Sequence, residues 1–130
     1  MQTNIELERG TPCSAGHELK CQDDIILKPN ERILVSTGVH ITNMEKNYVA
    51  LIKDKSSIAM KGVYTHAGVI DSDYRGDIKV LLHNHSNVTV KFEKGKSIAQ
   101  LVILKYEVFD NSTVKHDDSF DHKGFGSTEC

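Results

Sequence analysis

Short apolar runs separated by polar turns dominate this chain, and their pattern indicates strands. The runs rich in Val, Ile and Leu span 32–42, 48–53, 77–84, 88–92 and 97–109. In the third run Ile78, Val80 and Leu82 occupy every second position and therefore share one face. Thr37-Gly38 interrupts the first run, where we expect a bend. Short segments with turns every 8–12 residues or so predict an all-β sandwich or barrel.

One segment has the pattern of a helix. This is S-S-I-A-M-K-G at 56–62. Ser56 or Ser57 can cap its start, and Gly62 can end it. We therefore expect one short helix in an otherwise β protein.

Composition narrows the class of protein. The chain has 130 residues, 38% of them hydrophobic and 26% charged, which is typical of one globular domain. Its formal net charge of −2 argues against direct binding to nucleic acid. No window approaches the roughly 18 apolar residues of a membrane span, and no secretory leader is visible. Cys13, Cys21 and Cys130 are odd in number and lack C-x-x-C spacing, so we predict free thiols. These features predict a soluble intracellular protein, in the cytoplasm or nucleus, or in a host cell if a virus encodes it.

A crowded acidic turn is the strongest candidate for chemistry. In G-V-I-D-S-D-Y-R-G, 68–76, two apolar residues precede Asp71, Asp73, Tyr74 and Arg75. A carboxylate at a strand end can orient and deprotonate a water molecule, and a nearby Tyr can pack against a sugar ring. A solvated bend explains the same residues equally well, so both interpretations stay open.

Other polar positions are weaker signals. Lys55 and the two serines after it suit phosphate binding or simple capping, and Gln100 in an apolar run needs a structural or ligand partner. His83 and His85 would share a strand face, but without a third ligand nearby we predict surface histidines. The polar tail from about residue 110 is either a frayed terminus or a lid.

Five ordered segments together resemble the trimeric dUTP diphosphatases. They are S-A-G-H-E-L, D-K-S-S-I-A, G-V-I-D-S-D-Y-R-G, G-K-S-I-A-Q-L and K-G-F-G-S-T. The resemblance covers 12–128 and implies a distorted jelly-roll β-barrel over 1–109. It also implies a C-terminal arm over 110–130 that is exchanged between the subunits of a homotrimer. Members of that family hydrolyse dUTP to dUMP and pyrophosphate with Mg²⁺, which supplies dUMP and keeps uracil out of DNA.

The resemblance also implies roles for particular residues. Asp71 would activate the attacking water, and Tyr74 would pack against the deoxyribose and exclude ribonucleotides. Main-chain groups of a hairpin around 65–74 would read uracil, and Glu18 would hold Mg²⁺ through water. The implied substrate-binding set is completed by Lys55, Ser56, Ser57, Gly68, Ile70, Gln100, Phe125, Gly126, Ser127 and Thr128, with Phe125 covering the base.

Several positions depart from that family's usual pattern. Glu18 replaces Asp, Lys55 replaces Arg, and Lys96-Ser97 replaces an acidic residue and Arg. In the tail, Phe120 aligns with the usual Arg, and Glu129 replaces Gly. We therefore predict an active enzyme with a weaker grip on phosphate. A catalytically weakened homologue acting as a nucleotide-binding or regulatory module stays open as the alternative, whereas the motifs of the related dCTP deaminases are not seen.

Overall fold

The computed structural model describes residues 1–113, which form short strands and very little helix. The helix α1 spans Ser56–Ala59, and a single 3₁₀ turn spans Asn111–Thr113. The strands are Gln2–Thr3 (β1), His17–Lys20 (β2), Ile25–Leu27 (β3), Arg32–Ser36 (β4), Ile41–Asn43 (β5), Tyr48–Lys53 (β6), Val63–His66 (β7), Val69–Ile70 (β8), Lys79–Asn84 (β9), Val90–Phe92 (β10) and Ser97–Lys105 (β11). The predicted all-β class with one short helix is confirmed.

Two larger sheets set the architecture. One has the strand order β2-β11-β6-β8 and the other β4-β9-β7, with the pairs β10-β3 and β1-β5 beside them. All of these pairings are antiparallel, and most join strands that are far apart in sequence. Gln100, in the central strand β11, lies opposite Glu18 on one side and Lys53 on the other. This register brings three distant segments into one row.

The core consists of the apolar faces of these strands. Ile78, Val80 and Leu82 are fully buried, as their alternation predicts. Asn84 is also fully buried, and its side-chain nitrogen donates to the carbonyls of Leu27 and Val88 at 2.9 and 2.8 Å. Because this amide is hydrogen-bonded, its burial does not leave an unpaired polar group in the core.

Some local predictions need correction. The N-cap of α1 is Lys55, and no side chain caps the helix, so the prediction that Ser56 or Ser57 caps it was wrong. Since both serines fall inside the first turn, their hydroxyls do not occupy the capping position. Strand β11 ends at Lys105 rather than at residue 109. The interruption at Thr37-Gly38 is confirmed, because β4 ends one residue earlier and Gly38 has φ +68°.

The segment between β7 and β8 crosses from one sheet to the other. Strand β7 pairs with β9, whereas β8 pairs with β6, so the expected hairpin around 65–74 is instead a crossover. Ala67 and Gly68 turn the chain with φ of +58° and +98°. A Cβ at Gly68 would lie 2.9 Å from the Ile52 carbonyl oxygen. The nitrogen of Ile52 in turn donates to the Gly68 carbonyl at 2.8 Å. Only glycine fits this turn without a shift of β6.

The pairing of β7 with β9 brings a third histidine next to His83 and His85. His66, at the end of β7, lies beside His83 and His85. The premise that no third ligand is near was therefore wrong, because strand pairing supplies a histidine that sequence spacing could not show. The pKa of His83 is lowered below its usual value. Partial burial is the main cause, and the neighbouring His85 and His66 rings add to it.

Candidate functional site

A polar pocket lies where β2, β11 and the start of α1 meet. Its volume is about 200 Å³. The lining residues come from three separate parts of the chain and are Gly10, Ser14, Gly16, Glu18, Lys55, Ser56, Ser57 and Gln100. Five of the predicted site residues are therefore brought together, namely Glu18, Lys55, Ser56, Ser57 and Gln100.

An ion pair crosses this pocket. The ammonium of Lys55 donates to Oε1 of Glu18 at 2.8 Å, and the two side chains are 26% and 25% exposed. The hydrogen bond from Lys55 holds the pKa of the Glu18 carboxyl below its usual value, and Lys20 and Lys96 add to this effect while burial opposes it. Lys55 also donates to Oγ of Ser97 at 3.2 Å. Glu18 is thus an anion at neutral pH, and the Lys55 cation is held facing the pocket.

Gln100 is fixed from two sides. Its Nε2 donates to the Asp54 carbonyl at 2.8 Å, so this amide has a structural partner, one of the two kinds expected from the sequence. The side chain also packs against Gly16, where a Cβ would lie only 2.0 Å from Oε1 of Gln100. An amide nitrogen carries two N–H groups, so Gln100 keeps one donor for a ligand in the pocket.

Asp54 connects the pocket to the crossover, a role that sequence reasoning missed. Its Oδ1 accepts a hydrogen bond from the backbone nitrogen of Thr65 at 2.6 Å. Its carbonyl accepts the bond from Gln100. Gly16 was missed as well, although both residues lie in the quoted motifs. Asp54 precedes Lys55 and Gly16 precedes His17, and nothing in the spacing of the sequence distinguishes either one from an ordinary loop residue.

The acidic turn after β8 is held by its own side chains. The backbone nitrogen of Tyr74 donates to the Asp71 carbonyl at 3.1 Å, and the Tyr74 hydroxyl donates to the Asp77 carbonyl at 2.7 Å. Arg75 donates to the carbonyls of Ser72 and Tyr74 at 2.7 and 3.1 Å, so it fixes the bend. The Asp71 carboxylate is exposed, and the Tyr74 ring is 41% exposed. Both side chains can therefore reach a ligand.

The predicted site residues fall into two groups within one chain. Gly68, Ile70, Asp71 and Tyr74 belong to the crossover and its turn, and none of them lines the pocket around Gln100 in the described part of the chain. Phe125, Gly126, Ser127 and Thr128 lie outside the described residues, as do Phe120 and Glu129. Over residues 1–113, Cys13 and Cys21 are free thiols, and no helix is long and apolar enough to cross a membrane.

Comparison with known proteins identifies the family to which this chain belongs. The family model described as dUTPase matches residues 3–129. A deoxyuridine 5′-triphosphate nucleotidohydrolase from Hydrogenobaculum sp. (strain Y04AAS1) is 43% identical over an alignment of 125 residues, and the match covers 91% of this chain and 85% of that protein.

Two phage structures share the fold. The dUTPase of Staphylococcus bacteriophage 80alpha with dUPNHPP has a TM-score of 0.83 at 23% identity, covering 97% of this chain and 96% of that one. An Asp-to-Asn mutant of the dUTPase from phage phi11 of S. aureus, which shows how a structural Mg(II) ion is coordinated, has a TM-score of 0.80 at 19% identity. That match covers 90% of this chain and 97% of the phage chain. The fold is therefore a jelly-roll β-barrel that carries a polar, charged pocket. The chain belongs to the dUTPase family.

Proposed function

We propose that this protein is a dUTP diphosphatase that hydrolyses dUTP to dUMP and pyrophosphate. The observation that carries the proposal is the pocket that gathers Glu18, Lys55 and Gln100 from three distant motifs. The name of the Hydrogenobaculum relative supports the same substrate. The reaction removes dUTP, which keeps uracil out of DNA, and it supplies dUMP.

The pocket around Lys55 suits the phosphate chain. Lys55 supplies a cation, the exposed Ser56 and Ser57 supply hydroxyl groups, and Gln100 supplies its remaining N–H. Because Lys55 is also the partner of Glu18, a phosphate must compete with that carboxylate. The pocket therefore accepts an anion but holds it less tightly than an unpaired cation would.

The crossover and its turn suit the nucleoside and the reacting water. Asp71 takes a proton from water, the water oxygen bonds to phosphorus, and the bond between the α- and β-phosphates breaks to release pyrophosphate. The Tyr74 ring packs against the deoxyribose and leaves no room for a 2′-hydroxyl. Main-chain groups near Gly68 and Ile70 pair with uracil beside the exposed Ala67 of the turn.

A homotrimer would unite these two groups. Within a single chain Asp71 and Tyr74 do not line the pocket around Lys55 and Gln100. A site formed between subunits would bring the catalytic and phosphate-binding residues together. On this proposal the arm over 110–130 is exchanged between subunits. Phe125 covers the base, and Gly126, Ser127 and Thr128 contact the phosphates.

Glu18 fits Mg²⁺ that arrives with the phosphates. Oε1 of Glu18 accepts from Lys55, and no hydrogen bond within residues 1–113 engages its second oxygen. Protein sites for Mg²⁺ commonly use one or two carboxylates, water and substrate phosphates. Glu18 would hold the ion through water. When bound, Mg²⁺ neutralises charge on the phosphates and on the leaving pyrophosphate.

The test is direct product analysis with purified protein and MgCl₂. We expect pyrophosphate and dUMP from dUTP and no deamination of dCTP. Asp71→Asn should reduce kcat by about 100- to 10,000-fold, the range for a general base. The matched control is Asp73→Asn, which changes an exposed carboxylate in the same turn and should keep most of the activity.

Three outcomes would contradict parts of this proposal. Absence of pyrophosphate would favour a nucleotide-binding or regulatory module, and loss of the trimer in Asp71→Asn would make Asp71 structural. Light scattering checks the trimer. A monomer that hydrolyses dUTP would refute the site between subunits.

A further inference from the structure

Three histidine rings converge on the sheet β4-β9-β7, away from the phosphate pocket. His83 lies in β9, His85 follows that strand, and His66 ends β7. Tyr64 is the register partner of His83. His66 is therefore a diagonal neighbour of His83 on the same sheet face, and His85 lies on that face two residues beyond.

The three histidines each offer a ring nitrogen within reach of one metal ion, and the rings of His66 and His83 are hydrogen-bonded to each other. His66 Nε2 lies 3.0 Å from His83 Nδ1, and one ring nitrogen from each histidine lies within 4.8 Å of the others. Zinc–nitrogen bonds of 2.0–2.1 Å in a tetrahedron place the nitrogens about 3.3 Å apart. His66 and His85 are exposed, so their rings have space to turn toward a shared ion.

The surroundings support the same ligand. The His83 and His85 ring centroids are 4.0 Å apart, and Tyr64 packs on His85 with centroids 5.1 Å apart. This packing orients two of the rings. Imidazole nitrogen suits zinc and other late first-row metals rather than Mg²⁺, which prefers oxygen. The cluster is therefore chemically distinct from the Glu18 pocket.

We propose that His66, His83 and His85 bind one Zn²⁺ ion per chain, with water in the fourth position. The metal joins the end of β7 to β9. Because His66 directly precedes the Ala67-Gly68 turn, zinc stabilises the start of the crossover. The proposal does not depend on dUTP hydrolysis, so failure of one leaves the other standing.

The experiment measures zinc bound to the whole protein after chelation and dialysis. Calorimetric titration with ZnCl₂, in excess MgCl₂ to saturate carboxylate sites, should give one zinc per chain. Co²⁺ in place of zinc should give the visible absorption of a tetrahedral site. Zinc should also raise the Tm. Alkylation of the exposed Cys13 beforehand excludes that thiol as the ligand.

Variants assign the ligands. His66→Gln, His83→Gln and His85→Gln should each weaken zinc binding by at least about tenfold. The matched control is His40→Gln, which changes an exposed histidine outside the cluster and should bind zinc normally. His85→Gln alters only an exposed side chain, so it is informative even if His83→Gln misfolds. Zinc binding unchanged in His66→Gln and His85→Gln, or no binding by the alkylated wild type, would overturn the proposal.

Discussion

Gly16 is the position where a single added methyl group should most disturb the pocket around Lys55 and Gln100. A Cβ there would lie 2.0 Å from Oε1, 2.8 Å from Cδ and 2.9 Å from Cβ of Gln100. Rotation of the Gln100 side chain can move the first two atoms but not its Cβ. Because Ala99 and Leu101 on either side are fully buried, β11 cannot shift easily. Gly16→Ala must therefore displace either Gln100 or the loop before β2.

The size of the effect follows from two losses. Turning the Gln100 amide away breaks its bond to the Asp54 carbonyl, which is worth about 1 kcal/mol. The residual overlap with Cβ is an overpacking strain of about 1–3 kcal/mol. Together they predict that Gly16→Ala lowers the free energy of unfolding by about 2–4 kcal/mol. For a domain of this size the Tm should fall by roughly 10 °C.

Urea unfolding followed by circular dichroism, at one protein concentration, measures this loss. The matched control is Gly10→Ala, which adds a methyl group to the same pocket. Its Cβ would lie 3.5 Å from Oγ of Ser14, an ordinary contact. Gly10→Ala should therefore change stability by less than about 0.5 kcal/mol.

A double variant tests the cause. In the Gln100→Ala background the oxygen and Cδ are gone, so Gly16→Ala should be less destabilising than in the wild type. The KM for dUTP should also rise in Gly16→Ala, because the remaining Gln100 donor is moved. Equal stability of Gly16→Ala and Gly10→Ala, or strict additivity in the double variant, would refute the reasoning.

Three further predictions concern the crossover, the ion pair and the sugar site. Gly68→Ala should lower the free energy of unfolding by about 1–3 kcal/mol in urea, whereas Ala67→Gly at the other positive φ should be neutral or stabilising. Glu18→Gln should be about 1 kcal/mol less stable than wild type at neutral pH, because the bond to Lys55 lowers the Glu18 pKa. That stabilisation is present above the ordinary pKa of Glu18 and is lost as the pH falls through its lowered pKa. The free energies of unfolding of the wild type and Glu18→Gln should therefore converge in acid. A difference between them that stays constant with pH would contradict the prediction. Tyr74→Phe keeps the ring and should still prefer dUTP over UTP in steady-state assays, while Tyr74→Ala should lose much of that preference.

Apolar patterning predicted β4, β6, β9, β10 and β11 because it reports burial directly, whereas β2, β3 and β7 lay outside the predicted runs. Ile78, Val80 and Leu82 could be assigned to the core from their spacing, since period-two apolar residues have only one way to share a face. The register could not be predicted in this way. Glu18 lies opposite Gln100 because β2 pairs with β11, and this pairing joins distant segments through backbone hydrogen bonds.

The side-chain contacts at the candidate site could not be predicted from the sequence either. Asp54 reads as an ordinary residue before a helix, yet it joins Gln100 to Thr65 once the sheets are formed. His66 gave no metal signal, because its partners are on another strand. Motif resemblance supplied the candidate site residues, but the contacts that hold them in place are long-range and follow only from the fold.

The two departures at Glu18 and Lys55 are best understood together. The longer Glu side chain reaches the Lys ammonium at 2.8 Å, and Ser97, where the family usually has Arg, accepts from the same ammonium at 3.2 Å. Lys55 is therefore oriented before any ligand arrives, which reduces the entropy lost on binding. However, the same carboxylate cancels much of its charge, and a lysine lacks the bidentate geometry of arginine. Because charge attracts phosphate more strongly than orientation alone, the sharing of Lys55 with Glu18 favours a weaker grip on the triphosphate.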